Sequence, residues 1–136
     1  MHWINDYINK PWVEGADGPD AFDCDGVFRD VQHKYYDIHL QKVSVNRKSI
    51  LAVVKALSND PSLLEWLEID RPEDGCLVKL FKHSRPDHMG VFVDIDGGGV
   101  LHSQQGAGVC FDSVFDLKAM GWKTIKFYRH KSKWQK

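Results

Sequence analysis

Residues 22–35 read FDCDGVFRDVQHKY and decide how the first half of the chain folds. The apolar residues of this stretch recur at spacings of three and four, which is the pattern of a helix with one buried face. Asp23 stands just before the pattern, and an aspartate at that position accepts hydrogen bonds from the first backbone N–H groups of a helix. The stretch therefore predicts a helix that begins at Cys24. Its buried face is formed by Cys24, Val27, Phe28, Val31 and Tyr35.

Two more helices are predicted before the middle of the chain. Asn46 is a suitable cap for a helix through Leu57, and Pro61 follows its end. A short third helix is predicted over residues 62–67. The first half is therefore expected to be mainly helical.

The second half changes to short runs of β-branched and aromatic residues, separated by Gly and Asp, which is typical of strands. Residues 94–99 (DIDGGG) predict a hairpin turn, and residues 116–120 predict one helical turn. We expect an α+β fold in which N-terminal helices pack on a C-terminal antiparallel meander, as one domain over residues 1–136. The predicted strands cover residues 76–81, 88–94, 99–103, 109–113 and 123–129.

Composition excludes several functional classes. The 136 residues carry 18 Lys and Arg against 19 Asp and Glu, so a nucleic acid or an anionic membrane is not the expected partner. No apolar run is long enough to span a bilayer, and the N-terminus lacks the pattern of a signal peptide. The three cysteines are widely spaced, which indicates neither a disulfide framework nor a zinc knuckle.

Cys24 is the candidate nucleophile. A thiol in the first turn of a helix lies near the positive end of the helix dipole, which favours the thiolate. The alternative is a cysteine that only packs as a small apolar residue.

His88 and His102 are the candidate partners of this thiol. Each lies at the edge of a predicted strand, and one hairpin joins the two strands, so the rings can meet. His88 would then exchange a proton with the thiol, while His102 would orient the His88 ring. The alternative is that either histidine is an ordinary surface or core residue.

A zinc site is the competing interpretation of the same residues. Cys24, His88 and His102 could form one with Asp87 or Asp94, but the spacing is unlike a compact zinc site and no H-E-x-x-H helix is present. We expect no metal and no cofactor.

Taken in order, five short motifs resemble those of the NlpC family of cell-wall cysteine peptidases. Within that family, the chain is most similar to the compact members that tailed bacteriophages and prophages encode as tail-assembly proteins. The motifs are KPW at 10–12, FDCDGV at 22–27, PEDGCLV at 72–78, HMGV at 88–91 and VLH at 100–102.

This resemblance implies a papain-like α+β fold with Cys24 as nucleophile, His88 as general base and His102 as the orienting residue. It also implies hydrolysis, without a metal, of the amide between D-glutamate and diaminopimelate in peptidoglycan stem peptides. A phage member would be assembled in the host cytoplasm as part of the virion tail, in contact with other tail proteins. The lack of a signal peptide agrees with this expectation.

The chain departs from the family pattern at three positions. Trp12 replaces a common tyrosine, Asp25 replaces a common serine or tryptophan, and Cys76 replaces a common aspartate. Carboxylates beside Cys24 would raise its thiol pKa or bind a substrate ammonium group. Cys76 and Cys110 are expected to be packing residues. Substrate binding is assigned to Trp12, Asp23, Asp25 and Ser103.

Two alternatives to this function stay open. The chain could be a tail-tip assembly protein with weak or no hydrolase activity. It could also be a thiol protease or amidase that acts on another substrate.

Overall fold

A computed structural model describes residues 2–40, 66–82 and 86–133. Two α-helices are present in these ranges, α1 (Cys24–Tyr35) and α2 (Val114–Ala119). Short 3-10 helices occupy Trp3–Asp6 and Lys131–Lys133. The strands are β1 (Trp66–Ile69), β2 (Leu77–Phe81), β3 (Pro86–Val93), β4 (Gly99–Gln104), β5 (Gly108–Asp112) and β6 (Thr124–His130).

Helix α1 begins where the sequence predicts. The Asp23 side chain accepts a hydrogen bond from the backbone N–H of Gly26 at 2.6 Å, as expected of an N-cap residue. The predicted buried face is confirmed at Val27, Phe28 and Val31, which are fully buried, and Cys24 is partly buried. It is wrong at Tyr35, which is 39% exposed at the last residue of the helix.

The six strands form one antiparallel sheet in the order β1-β6-β2-β3-β4-β5. The predicted α+β class is therefore confirmed, and β2 to β5 form the expected meander. The meander does not continue to the end of the chain, because β6 crosses back to lie between β1 and β2. The predicted hairpin at residues 94–99 is present, with Asp96, Gly97 and Gly98 at positive φ.

Both faces of the sheet are covered. Alternate residues of each strand point to opposite faces, so neighbouring residues join different apolar clusters. The first cluster lies under α1 and includes Val27, Phe28, Val31, Leu77, Met89, Val91, Leu101 and Val109. The second cluster lies under α2 and consists of Cys76, Val78, Leu80, Phe92, Val100, Leu117 and Trp122.

The other predicted helices differ in outcome. The helix predicted from Asn46 through Leu57 lies outside the described residues. The prediction over residues 62–67 is wrong at its end, because Trp66 and Leu67 belong to β1. Four residues are too few to show a strand period, and β1 is held by its pairing with distant β6. Within the described ranges, no helix is long and apolar enough to cross a membrane.

Candidate active site

His88 and His102 are in direct contact. Nε2 of His88 lies 2.8 Å from Nδ1 of His102, and the two rings are nearly perpendicular, at 78°. His88 is 8% exposed and His102 is not exposed at all. The structure therefore brings together the two histidines that the sequence singled out, in a site largely closed to water.

The strands position this pair at the end of a ladder. The pairing of β3 with β4 begins at Val91 and Leu101, so His102 lies one residue beyond the paired positions and His88 lies three. Gly90 makes the close approach of the strands possible. A Cβ atom at Gly90 would lie 2.7 Å from the Leu101 carbonyl oxygen and 3.1 Å from Cβ of His102. A larger residue here would push β4 and its histidine away.

Aromatic and charged groups surround the His88 ring. It stacks on the indole of Trp122 at 5.5 Å between ring centroids and 20° between planes. Nζ of Lys82 lies 4.6 Å from the centroid of the same indole. Burial, the neighbouring His102 and the Lys82 charge together hold the pKa of His88 well below its usual value. Neutral imidazole is therefore the favoured form of His88.

Asp112 extends the pair to a row of three side chains. Its Oδ2 lies 2.8 Å from Nε2 of His102, so the two ring nitrogens of His102 bind His88 and Asp112. Asp112 lies at the end of β5, two residues beyond Cys110, which is opposite His102 in the ladder. Asp112 was not among the site residues predicted from the sequence. The alternation of side chains along β5 could indicate Asp112 only if the register of β5 against β4 were already known.

Cys24 occupies the first turn of α1 and is partly buried. Helix α1 packs against β3 and β4, the two strands that carry His88 and His102. The hydroxyl of buried Ser103 donates a 2.6 Å hydrogen bond to the Phe22 carbonyl oxygen. This bond joins the residue after His102 to the segment just before Cys24.

The carboxylates on either side of Cys24 are both 3% exposed. The Asp23 carboxylate accepts hydrogen bonds from the N–H groups of Gly26 and Gly15, at 2.6 and 3.0 Å. The Asp25 carboxylate accepts a hydrogen bond from Arg29 Nε at 2.8 Å, within an ion pair. Through these hydrogen bonds both side chains stabilise the start of α1.

The other two predicted substrate residues differ in exposure. Ser103 is fully buried, and its hydroxyl is used in the bond to Phe22. Trp12 is partly buried and follows Pro11, whose carbonyl oxygen accepts the Phe22 N–H at 3.0 Å. Of these two side chains, only that of Trp12 is partly accessible to solvent.

Comparison with known proteins identifies the family. The profile of the NlpC/P60 family matches residues 9–128, which include Cys24, both histidines and Asp112. The chain belongs to the NlpC/P60 family. Its members are in general cysteine peptidases or amidases of the cell wall, and the antiparallel sheet with α1 agrees with the family fold. A comparison with curated proteins finds no significant match.

The other thiols of this NlpC/P60 chain are poorly suited to nucleophilic chemistry. Cys76 is buried in the second cluster, and burial raises its pKa to about 11. Burial and the nearby Asp112 also raise the pKa of Cys110. Cys76 packs in the apolar core, as predicted from the sequence, whereas Cys110 lies in β5 and is only partly buried.

The competing zinc interpretation finds no assembled ligand set among the described residues. No group of three or more His, Cys, Asp and Glu side chains there could hold a metal ion. Asp94 follows the end of β3 that is remote from His88, and the Asp87 side chain is outside the described part of the chain.

Proposed function

We propose that this chain is a cysteine endopeptidase that cleaves the amide between D-glutamate and diaminopimelate in peptidoglycan stem peptides. Cys24 is its nucleophile, His88 its general base, and His102 the residue that orients His88. The 2.8 Å bond between His88 and His102 is the observation that carries the proposal. Family membership supports the class of reaction, and the resemblance of the five motifs supports the choice of bond.

The thiol is activated by proton transfer in this mechanism. Neutral His88 takes the proton of the Cys24 thiol, and the thiolate attacks the γ-carbonyl carbon of D-glutamate. Backbone N–H groups at the start of α1 stabilise the oxyanion that forms. The low pKa of His88 makes its imidazolium form a strong acid for the next step.

The second half of the reaction returns the enzyme to its starting state. The imidazolium of His88 gives its proton to the diaminopimelate nitrogen, the C–N bond breaks, and an acyl-enzyme remains on Cys24. Water then loses a proton to His88 and attacks the thioester carbonyl. The products are a D-glutamate carboxylate and the Cys24 thiol, with no metal required.

Mass spectrometry of muropeptide digests tests this proposal. Purified protein is incubated with diaminopimelate-containing muropeptides beside Cys24→Ala, with Cys110→Ala as the matched control for loss of a thiol. We expect cleavage between D-glutamate and diaminopimelate in the wild type and in Cys110→Ala, and none in Cys24→Ala. Cleavage of a different amide would overturn the choice of bond in favour of another thiol hydrolase. Intact muropeptides with folded wild-type protein would favour the assembly alternative.

We also propose that the protein works in the tail of a phage virion that is assembled in the host cytoplasm. The ordered resemblance to compact phage members supports this location, where the wall is the barrier that a tail must cross. Proteomics of purified virions from the source strain, with isolated tails as a separate fraction, tests it. Peptides of this protein should be enriched in the tail fraction. Its recovery only from uninfected cells would contradict a virion location.

A further inference from the structure

The bonds of the His102 ring determine where its proton lies. An ionised carboxylate only accepts hydrogen bonds, so the 2.8 Å contact between Asp112 Oδ2 and His102 Nε2 requires the proton on Nε2. In its neutral form His102 carries one ring proton, so with that proton on Nε2 its Nδ1 is a lone pair. His102 is fully buried, so water does not compete for either nitrogen.

The hydrogen bond between the two rings also locates the proton of His88. Its Nε2 lies 2.8 Å from Nδ1 of His102, and a lone pair at Nδ1 can only accept. The proton of that bond therefore belongs to Nε2 of His88. Neutral His88 then has its lone pair on Nδ1, and among the described residues its ring makes no other hydrogen bond. Nδ1 is the nitrogen available to take a proton from a thiol.

We propose that Asp112 is a positioning residue that selects this tautomer of His88 through His102. The inference rests on the proposed function for its consequence in catalysis, whereas the tautomers themselves do not depend on any substrate. Without the carboxylate, His102 can carry its proton on Nδ1 and donate it to Nε2 of His88. The only proton of neutral His88 would then lie on Nδ1, and the ring could not accept the thiol proton.

The hydrogen-bonded row of His88, His102 and Asp112 also stays intact during the reaction. When Nδ1 of His88 takes the Cys24 proton, the Nε2–H bond to His102 becomes a bond from a cation and strengthens. The Asp112 charge lies one ring further along the row and compensates the new positive charge. After Nδ1 gives its proton to the leaving amine, the starting tautomer returns without any rearrangement.

Nitrogen NMR of the histidine rings tests the proposal directly. In ¹⁵N-labelled protein at neutral pH, we expect both His88 and His102 as Nε2–H tautomers, with signals assigned through His88→Gln and His102→Gln. In Asp112→Asn, the amide can donate to Nε2 of His102, so both histidines should shift toward the Nδ1–H tautomer. Asp116→Asn, the same change at an exposed position in α2, should leave both tautomers unchanged.

Turnover on muropeptides supplies the second readout. We expect Asp112→Asn to lower kcat by about 10²- to 10⁴-fold, since the equivalent change in the Ser-His-Asp triad acts through the wrong tautomer and costs about 10⁴-fold. Asp112→Glu should recover part of the rate, because it keeps an accepting carboxylate. Asp116→Asn should retain the wild-type rate.

The outcomes separate the two proposals. An Nδ1–H tautomer of His102 in the wild type would overturn the inference, and this measurement requires no folded variant. Unchanged tautomers in a folded Asp112→Asn protein would also overturn it. If the wild type shows the expected tautomers but cleaves no muropeptide, the proposed function fails and the role of Asp112 in setting the tautomers stands.

Discussion

The His88 ring lies nearly parallel to the indole of Trp122, with 5.5 Å between their centroids. The indole is only 5% exposed and belongs to the cluster under α2, so the apolar core itself supports one face of the proposed base. The hydrogen bond to His102 fixes the ring at its edge. Together these contacts leave His88 little rotational freedom, which is favourable for a group that must transfer a proton in one direction.

Replacing Trp122 should therefore reduce kcat by more than the loss of stability accounts for. Trp122→Leu is expected to lower the free energy of unfolding by about 3 kcal/mol and to reduce kcat at temperatures where the protein is fully folded. Trp66→Leu is the matched control, since Trp66 is buried against Phe28 and His130 on another part of the sheet. It should lose similar stability and keep its kcat. Equal loss of kcat in both variants would mean that Trp122 only stabilises the fold.

Stability should fall in mild acid because of His88. Its pKa in the folded protein is well below the value of 6.5 for an ordinary histidine, chiefly through burial. Below about pH 6.5, His88 is therefore protonated in the unfolded chain but stays neutral in the folded protein. This difference of one proton lowers the free energy of unfolding by at most about 1.4 kcal/mol per pH unit. The contribution of neutral His88 to the free energy of unfolding is fully present above pH 6.5. It is lost as the pH falls toward the pKa of His88 in the folded protein.

Urea unfolding at several pH values between 5 and 8 measures this effect. His88→Gln should reduce the slope of unfolding free energy against pH below pH 6.5, compared with the wild type. His33→Gln, the same change at an exposed position of α1, is the control for the substitution itself. A wild-type slope in His88→Gln would assign the acid sensitivity to other groups.

Much of this arrangement follows from local patterns in the sequence. Helix α1 has a clear period and a capping aspartate, and β2 to β5 are separated by strong turn signals, so their residues could be predicted closely. The position of β6 between β1 and β2 depends on pairing with distant strands, which no local pattern records. Asp112 was missed for the same reason, because its meeting with His102 depends on the register of β5 against β4.

Gly90 should be required for the geometry of the histidine pair. A Cβ atom there would approach the Leu101 carbonyl oxygen to 2.7 Å and a Val100 methyl carbon to 2.6 Å. Gly90→Ala is expected to destabilise the protein by about 1–3 kcal/mol through overpacking and to slow turnover by displacing His102. Gly97→Ala is the control, with nothing within 4 Å of its added Cβ and a φ of +86°. It should cost about 1–2 kcal/mol for the backbone conformation and leave kcat unchanged.

Ser103 should act through structure and not through the substrate. Its hydroxyl is fully buried and bonded to the Phe22 carbonyl oxygen at 2.6 Å. Ser103→Ala leaves that carbonyl without its partner, which should cost about 1–3 kcal/mol. We expect kcat to fall while KM stays close to the wild-type value, because the segment before Cys24 loses its anchor. A higher KM with unchanged kcat would instead support the predicted contact between Ser103 and substrate.

The ion pair of Asp25 with Arg29 should keep the Cys24 thiol reactive. Arg29 Nε lies 2.8 Å from the Asp25 carboxylate, and the two side chains are 11% and 4% exposed. Arg29→Met removes this partner from a buried charge, so we expect a loss of about 3–5 kcal/mol in unfolding free energy. The less compensated carboxylate also disfavours a neighbouring thiolate, so alkylation of Cys24 by iodoacetamide at neutral pH should become slower.

A second change separates charge from packing in this pair. Asp25→Asn combined with Arg29→Met removes both charges, so the alkylation rate should return toward the wild-type value even if part of the stability stays lost. Lys34→Met is the control for loss of a cation on α1. Lys34 is 51% exposed and pairs with Asp30 at 3.3 Å, so this variant should lose less than about 1 kcal/mol. Slow alkylation that persists in the double variant would show that Arg29 acts on Cys24 through the shape of the first turn and not through the Asp25 charge.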